Sequence, residues 1–512
     1  MSLISLFPEW MLTHGAALLV VVPLIAGAIA AILPKRQFAA ALTLCVTFVC
    51  MLTSLLLVLQ VMDGQVINYA LGGWEAPHGI AYVVDGLNAP VLFLISAIGF
   101  LVALYGMPTI IAEVEPKKRA PFYAAFMVCL AGLLGMVVTG DAFNVFVFLE
   151  VSSISTYSLV AMGASRDRRA LTAAYNYLIM GSIGATFFVI GLGFLYMETG
   201  TLNMADMANI LRDMEGGSRV SQVAFGFIIV GLGLKLAMFP LHTWLPGAYA
   251  HSPTMVTVFL ASTATKAALY LLLRFVFTVF DVSFDYVFDV EIYLLAGLGM
   301  VGMIMGSLSA IFQTDVRRVL AYSSVAQVGY MLLGVGLGTA AGLTAGYLHL
   351  VNHAVIKGAL FMALGAFWYR YGITRASDFN GLAKTMPWTM GAFTLGGLSL
   401  IGVPFTAGFT SKFRLVEAAF LKGWWWAVIV VVISSVLAII YIGRLVLAAY
   451  FQSPPEINGK LVAKNEAPLL MLIPMWFLVC LSIAIGVNAD IIVSLSEGAA
   501  NVLLPQISGA NP

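Results

Sequence analysis

The chain has 512 residues, of which 61% are hydrophobic and only 10% charged, and its formal net charge is +1. Soluble domains carry about 25% charged and about 45–50% apolar residues, so a water-soluble enzyme, a nucleic-acid binder, a secreted disulfide scaffold and a disordered chain are all excluded. A membrane-spanning helix needs roughly 20 residues, and the apolar material here suffices for a dozen or more.

Apolar runs bounded by charge, Pro or Gly follow one another at about 11–33, 38–61, 88–110, 121–140, 142–164, 171–197 and 220–250. They continue at about 254–280, 290–313, 318–338, 340–368, 388–420, 425–450 and 467–488. The pattern predicts an all-α polytopic membrane protein of about fourteen spans, with 1–512 as a single membrane domain. The first run follows Glu9 with no basic residue before it, so it is read as a retained span and not as a cleaved signal. Cys45, Cys50, Cys129 and Cys480 all sit in apolar runs as small hydrophobes. No spacing suggests a metal site or a cofactor, so neither is predicted.

Basic residues orient the bundle. With the loops taken alternately and both termini outside, the inner loops hold Lys35, Arg36, Lys117, Lys118, Arg119, Arg166, Arg168, Arg169, Arg317, Arg318, Arg370, Arg375, Lys384, Arg444, Lys460 and Lys464. The outer loops hold only Arg212, Arg219 and Lys422, so the split is sixteen to three. Such a bias is what the positive-inside rule asks of an even number of spans. The reading places the chain in the cell's inner (plasma) membrane.

Six basic residues remain, all within spans: Lys235, Lys266, Arg274, Lys357, Lys412 and Arg414. Arg274 is near a helix end and Arg414 sits two residues from Lys412, so either is placed to snorkel to an interface. Glu150 is the one acid deep within a span, and His349, His353 and Lys357 share another. A charge at mid-membrane costs at least about 2.5–3.5 kcal/mol, so each needs a partner, water or a neutral protonation state. A packing ion pair explains any single lysine. It does not explain the set, because the bases outnumber the acids. Some of these lysines must exchange protons, which is the requirement for a relay. His349, His353 and Lys357 stand at i, i+4 and i+8, along one helix face with a rise of about 6 Å per step. Histidine is a natural shuttle near neutral pH; the plainer reading of the same spacing is two core histidines and a packing lysine.

Two spans look broken. The seventh contains Pro240 and Pro246, and the twelfth contains Pro404 between Gly402 and Gly408. Proline removes a backbone donor, and non-helical backbone at membrane depth is tolerated only where it is buried or lines a hydrated cavity. An ordinary kink explains either alone. As a pair five spans apart, each with a lysine, they point to two inverted five-helix repeats with ion sites at the breaks. The repeats are placed at 121–280 (spans 4–8) and 290–450 (spans 9–13), flanked by 1–110 and 467–512.

The stretches GDAFNVFVFLEV, GLKLAMFPLHTWLPGAYAHSP, RRVLAYSSVAQVGYMLLG, HLVNHAVIKGALF, FNGLAKTMPWT and GFTSKF together resemble the antiporter-like subunits of the NADH–quinone oxidoreductase/Mrp superfamily. The resemblance runs from about Gly73 to Pro468 and is nearest to the D-type subunits of Mrp Na⁺/H⁺ antiporters. It implies a proton-translocating subunit of a multisubunit cation/proton antiporter, with Mrp-type A, B, C, E, F and G subunits as partners. The transported ions would be H⁺ and Na⁺. By that resemblance Glu150 would pair with Lys235, Lys266 would be the central relay, and His349, His353 and Lys357 would extend the axis. Lys412 would be the terminal site. His242 and His251 flank the seventh-span break as possible path residues, His251 equally well as a loop-packing residue. A proton-pumping N- or M-type subunit of a complex I-like oxidoreductase or a membrane-bound hydrogenase fits the same residues. In either case the chain has no redox motif and is not itself an enzyme.

Overall fold

A computed structural model describes Ile4 and residues 7–32, 36–214, 218–280, 285–453, 456–457, 460–461 and 464–504. Lys35, one of the inner-loop bases, lies outside the described residues, as does the side chain of Lys460.

The apolar runs fold as helices, because in lipid every backbone group must be satisfied within its own segment. In chain order they are α1 (Glu9–Ile32), α2 (Arg36–Met62), α3 (Ala89–Glu113), α4 (Arg119–Val138), α5 (Ala142–Ala161) and α6 (Arg169–Thr199). A hairpin of β1 (Ile67–Ala70) and β2 (Ala81–Val84), antiparallel with Tyr69 opposite Tyr82, joins α2 to α3. The short amphipathic α7 (Met204–Asp213) follows α6, then α8 (Arg219–Leu236), α9 (Trp244–His251), α10 (Thr254–Ser262) and α11 (Ala264–Leu273), which runs on into a π-helical turn over Arg274–Val279. Next come α12 (Asp285–Phe312), α13 (Val316–Gly336), α14 (Ala340–Tyr371), the single turn α15 (Leu382–Thr385), α16 (Pro387–Ile401) and α17 (Ala407–Leu421). The chain closes with α18 (Trp425–Phe451), α19 (Leu469–Val487) and α20 (Asp490–Leu503).

Thirteen of the described helical segments are long and apolar enough to cross a membrane. The fourteenth span is the pair α16–α17, whose halves are too short singly. The polytopic all-α reading therefore holds. Sequence periodicity misses α7, α20 and the hairpin, whose mixed composition resembles loops.

Side-chain caps fix where several spans begin. Asp141 accepts the Asn144 amide at 2.7 Å to start α5, and Asp315 accepts the Arg318 amide at 3.1 Å to start α13. Asp141 also bridges to Asn203, after α6, and Asp315 bridges to Arg375, after α14. The same joint thus recurs one repeat later. Arg444 lies within α18, not in a loop, and donates to the Ile311 and Gln313 carbonyls at 2.6 and 2.7 Å, capping α12. Cys50 and Cys129 are buried, whereas Cys45 and Cys480 face outward.

Both expected breaks are present. Residues 237–243 are non-helical between α8 and α9; Pro240 lies in that turn, but Pro246 sits in the first turn of α9, where a missing amide is harmless. Pro404 lies in the gap between α16 and α17. There the two halves touch: a Cβ on Gly408 would stand 1.8 Å from the Ser399 carbonyl oxygen. Gly408→Ala is expected to push the halves apart and lower the amount of folded chain in the membrane, read by detergent thermal unfolding. An unchanged unfolding temperature would contradict this contact.

The snorkelling expected of Arg274 is not what the fold shows. Arg274 is 7% exposed and donates to both Asp85 oxygens at 2.9 and 2.8 Å, with Tyr270 beside it. Its location beneath the hairpin gives it a partner that costs less than a path to the interface. Removing one member of a buried pair leaves an uncompensated charge, typically about 3–5 kcal/mol. Asp85→Ala is therefore expected to destabilise the fold by that amount. The double change Asp85→Ala/Arg274→Met should recover much of the loss, as thermal unfolding of the two variants will show.

Candidate functional site

Helix α14 crosses the middle of the bundle almost wholly buried. His349, His353 and Lys357 are each no more than 1% exposed, and the two imidazoles lie parallel at 6.4 Å between centroids. His349 is held at both nitrogens, by Ser411 on α17 and by Gln327 on α13, each at 2.9 Å. Among the described residues, His353 has no hydrogen-bond partner at either nitrogen. It is within electrostatic range of Lys266, Lys357 and His349.

The lysines share a further feature. The Lys357 ammonium donates to the Leu320 carbonyl at 2.7 Å and to the Ser323 hydroxyl. Lys412, on α17, reaches back across the break to the Leu400 and Ile401 carbonyls at 2.9 and 3.1 Å, and lies 4.5 Å above the Tyr330 ring. Those carbonyls belong to the last turn of α16, where a helix presents unpaired acceptors and negative potential. Gly402, at φ +95°, turns the chain there, and a Cβ on it would crowd the Lys412 stem at 3.0 Å. Tyr330 also lies 5.4 Å from His349 between ring centroids, which joins Lys412 to the α14 line.

Lys266 exposes a break that the sequence does not announce. The eighth span is interrupted at Thr263, with φ −126° and ψ −52°, and the Lys266 ammonium caps the Ala261 carbonyl beside the interruption. No proline marks the spot. A polar run, Ser262-Thr263-Ala264-Thr265-Lys266, is the only signal.

Lys235, in the last turn of α8, donates to Ser153 on α5 and lies 5.9 Å from the Tyr157 ring centroid. Glu150 is one helical turn from Ser153. It is the acid that Lys235 senses, although no direct ion pair joins them, and its Oε1 is buried without a hydrogen bond. Beside them a cavity of about 30 Å³ is lined by Ser152, Ser153, Thr156, Lys235, Ala264 and Ala268. A water needs roughly 10–15 Å³ by this measure and two or more polar partners, so the space admits one or two. It extends from Lys235 to the helix that carries Lys266.

The other two histidines are placed differently. His242 lies in the α8–α9 turn, its ring stacked on Phe239 at 5.3 Å. His251, at the end of α9, contacts Asp167 at 3.2 Å in a polar cluster with Arg169, away from the lysine line. The Arg169 hydrogen bond holds Asp167 down at about 2, so it stays a carboxylate at any physiological pH. Nearby, Glu113 receives the Thr254 amide at 2.5 Å and Arg166 at 3.1 Å. Arg317 completes the cluster by donating to Thr254 at 3.0 Å. Among the described residues, no group of three or more His, Cys, Asp or Glu is placed to hold a metal ion.

Sequence reasoning misses the neutral members: Ser153, Ser323, Gln327, Tyr330 and Ser411. For α13 a signal exists, since Ser323, Gln327 and Tyr330 stand at i, i+4 and i+7 on one face of an apolar helix. Chemically, the arrangement offers amines and imidazoles joined in part by hydroxyls, groups between which a proton can move.

Comparison with known proteins agrees with this architecture. Residues 139–438 match the family profile described as "NADH:quinone oxidoreductase/Mrp antiporter, TM". The chain is 38% identical over 452 residues to the N-type NADH-quinone oxidoreductase subunit of Desulforudis audaxviator, covering 86% of this chain and 89% of that one. It is 31% identical over 456 residues to the D-type Na(+)/H(+) antiporter subunit of Alkalihalophilus pseudofirmus, covering 89% and 90%. Among solved structures, a chain of the Mrp complex from Dietzia superposes with a TM-score of 0.88 at 27% identity, covering 97% of this chain and 99% of that one. A chain of an archaeal membrane-bound sulfane sulfur reductase superposes at 0.86 with 32% identity, covering 96% and 97%. The chain belongs to the NADH:quinone oxidoreductase/Mrp antiporter membrane family, as one of its antiporter-like subunits.

Proposed function

We propose that the chain is the D-type subunit of a multisubunit Na⁺/H⁺ antiporter, an ion-transport component and not a catalyst. It moves protons along Glu150, Lys235, Lys266, His353 with Lys357, His349 and Lys412. One observation carries the reading: four ammonium groups within the spans, three of them buried, are held by hydroxyls and backbone carbonyls instead of carboxylates, and three of the four, Lys235, Lys266 and Lys412, stand beside interrupted helices. A structural ion pair would be built from an acid. The recurrence of the capping joint at Asp141 and Asp315, and of a break in spans 7 and 12, supports repeats at 121–280 and 290–450. Both termini lie on the outer side of the plasma membrane by the distribution of basic loops, and Mrp-type A, B, C, E, F and G subunits complete the complex.

The test is Na⁺-driven dequenching of acridine orange in everted vesicles that contain the whole complex. Exchange that needs this subunit is expected. Vesicles lacking only this chain that still exchange at full rate would overturn the proposal. The identity to an N-type NADH-quinone oxidoreductase subunit favours a second reading, a redox-driven pump module with the same channel. Subunits that co-purify decide between them: small Mrp-type proteins in the first case, redox proteins in the second.

The α14 line gives its own prediction. His353→Ala is expected to slow exchange more than about tenfold, a barrier change near 1.4 kcal/mol, and to shift the pH optimum. His349→Ala should do the same, and Lys357→Ala at least as much. Wild-type rate and pH optimum in both histidine variants would make them core residues only.

A further inference from the structure

A large apolar cavity lies behind the relay, not on it. It measures about 710 Å³ and runs between α2, α3, α14 and α19, with α20 across one end. Leu59 on α2, Phe93 and Leu101 on α3, and Phe477 on α19 form its walls. Its floor is Tyr347, Val351 and Val355 of α14, on the face turned away from His349, His353 and Lys357. From Pro90 to Leu104 it extends about 21 Å along α3, more than the ~15 Å thickness of one leaflet's hydrocarbon.

The chemistry of the wall defines the occupant. Its two side-chain hydroxyls are already used: Tyr347 donates to Leu87 and Ser496 to Ile492, each at 2.7 Å. Water would find no partner there. A dry cavity of about 150 Å³ accommodates benzene, so this volume corresponds to on the order of thirty carbon atoms. Two acyl chains match that carbon count, and their length suits a cavity that runs along one leaflet.

The headgroup follows from charge. No Lys or Arg occurs in residues 37–116 or 465–512, which supply α3, α19, α20 and all of α2 after its first residue. At the end where α20 lies, Asp63 follows the lining residue Met62, Asp490 precedes the lining residue Ile491, and Glu497 is next to Ser496; all three acids are exposed. An anionic headgroup would meet only like charge. We propose that this cavity binds a single amine-bearing phospholipid, of phosphatidylethanolamine chemistry. Its chains lie against the back of α14, and its ammonium faces the acidic rim. The tails keep water from the rear of the relay helix and hold it in register.

The test uses the whole complex, reconstituted in vesicles containing either phosphatidylethanolamine or phosphatidylglycerol with a photoactivatable acyl chain. Labelled peptides are then mapped. Labelling of α3, α14 and α19 lining residues is expected, favouring the amine lipid about tenfold, the scale set by one or two charges at a membrane surface. Ala97→Trp, which fills the cavity, should abolish it. Should that variant fail to fold, Asp63→Lys/Asp490→Lys should reverse the headgroup preference. Equal labelling by both lipids, labelling undiminished by Ala97→Trp, an unchanged preference in the charge-reversed variant, or no labelling at these residues would each overturn the proposal.

Discussion

Lys412→Ala is expected to abolish cation/proton exchange, while Lys412→Glu keeps part of it and Lys412→Arg is worse than Glu. The reason is where the ammonium sits. It spans the break between α16 and α17, bound to the Leu400 and Ile401 carbonyls, with Ser435 at 3.3 Å and Tyr330 beneath it. Alanine removes the exchangeable proton altogether. A buried carboxyl also titrates toward neutral pH and preserves a proton site. Arginine preserves the charge but cannot deprotonate in a protein. The measurement is the order of exchange rates at matched membrane expression. Should the Arg variant outperform Glu, Lys412 would be a fixed charge, and the terminal relay role would have to be withdrawn.

Glu150→Ala is expected to reduce exchange to background while assembly remains largely intact. Glu150 is the acid that Lys235 senses, and Ser153, the hydroxyl that holds Lys235, lies one turn along the same helix. Without the carboxylate, Lys235 keeps only the neutral Ser153 hydroxyl and the Tyr157 ring beside it, and the first transfer toward Lys266 loses its negative partner. The Oε1 atom has no hydrogen bond to lose, so folding should suffer little. Glu150→Gln, the same shape without the charge, should be equally inactive. Near-normal exchange in either variant, with the protein present in the membrane, would remove Glu150 from the path.

How much of this is legible in the sequence depends on contrast. Lys235, Lys266, Lys357 and Lys412 stand out because an ammonium inside an apolar run is expensive and rarely accidental. The breaks in spans 7 and 12 stand out because proline cannot continue a helix. Ser153, Ser411 and Gln327 do not, since a serine in a span can satisfy itself on its own helix, and nothing local distinguishes one that reaches a neighbour. The interruption at Thr263 has no proline to mark it. Arg274 looks like a snorkelling residue in the sequence because its partner, Asp85, is 189 residues away in the chain, and a pairing across that separation is visible only once the helices are packed.

The way these lysines are anchored bears on energetics as well as on route. An amine tied to a carboxylate is trapped: releasing its proton strands a negative charge in a medium that cannot solvate it. A carbonyl dipole carries no net charge, so the ammonium can become an amine and leave nothing ionised behind. Lys266, Lys357 and Lys412 are all held in this second way. In the proposed relay, successive stations would then lie close in free energy, and a small external bias would suffice to tip occupancy along the line. A relay built this way would run in either direction, its sense of flow set by the gradients across the membrane.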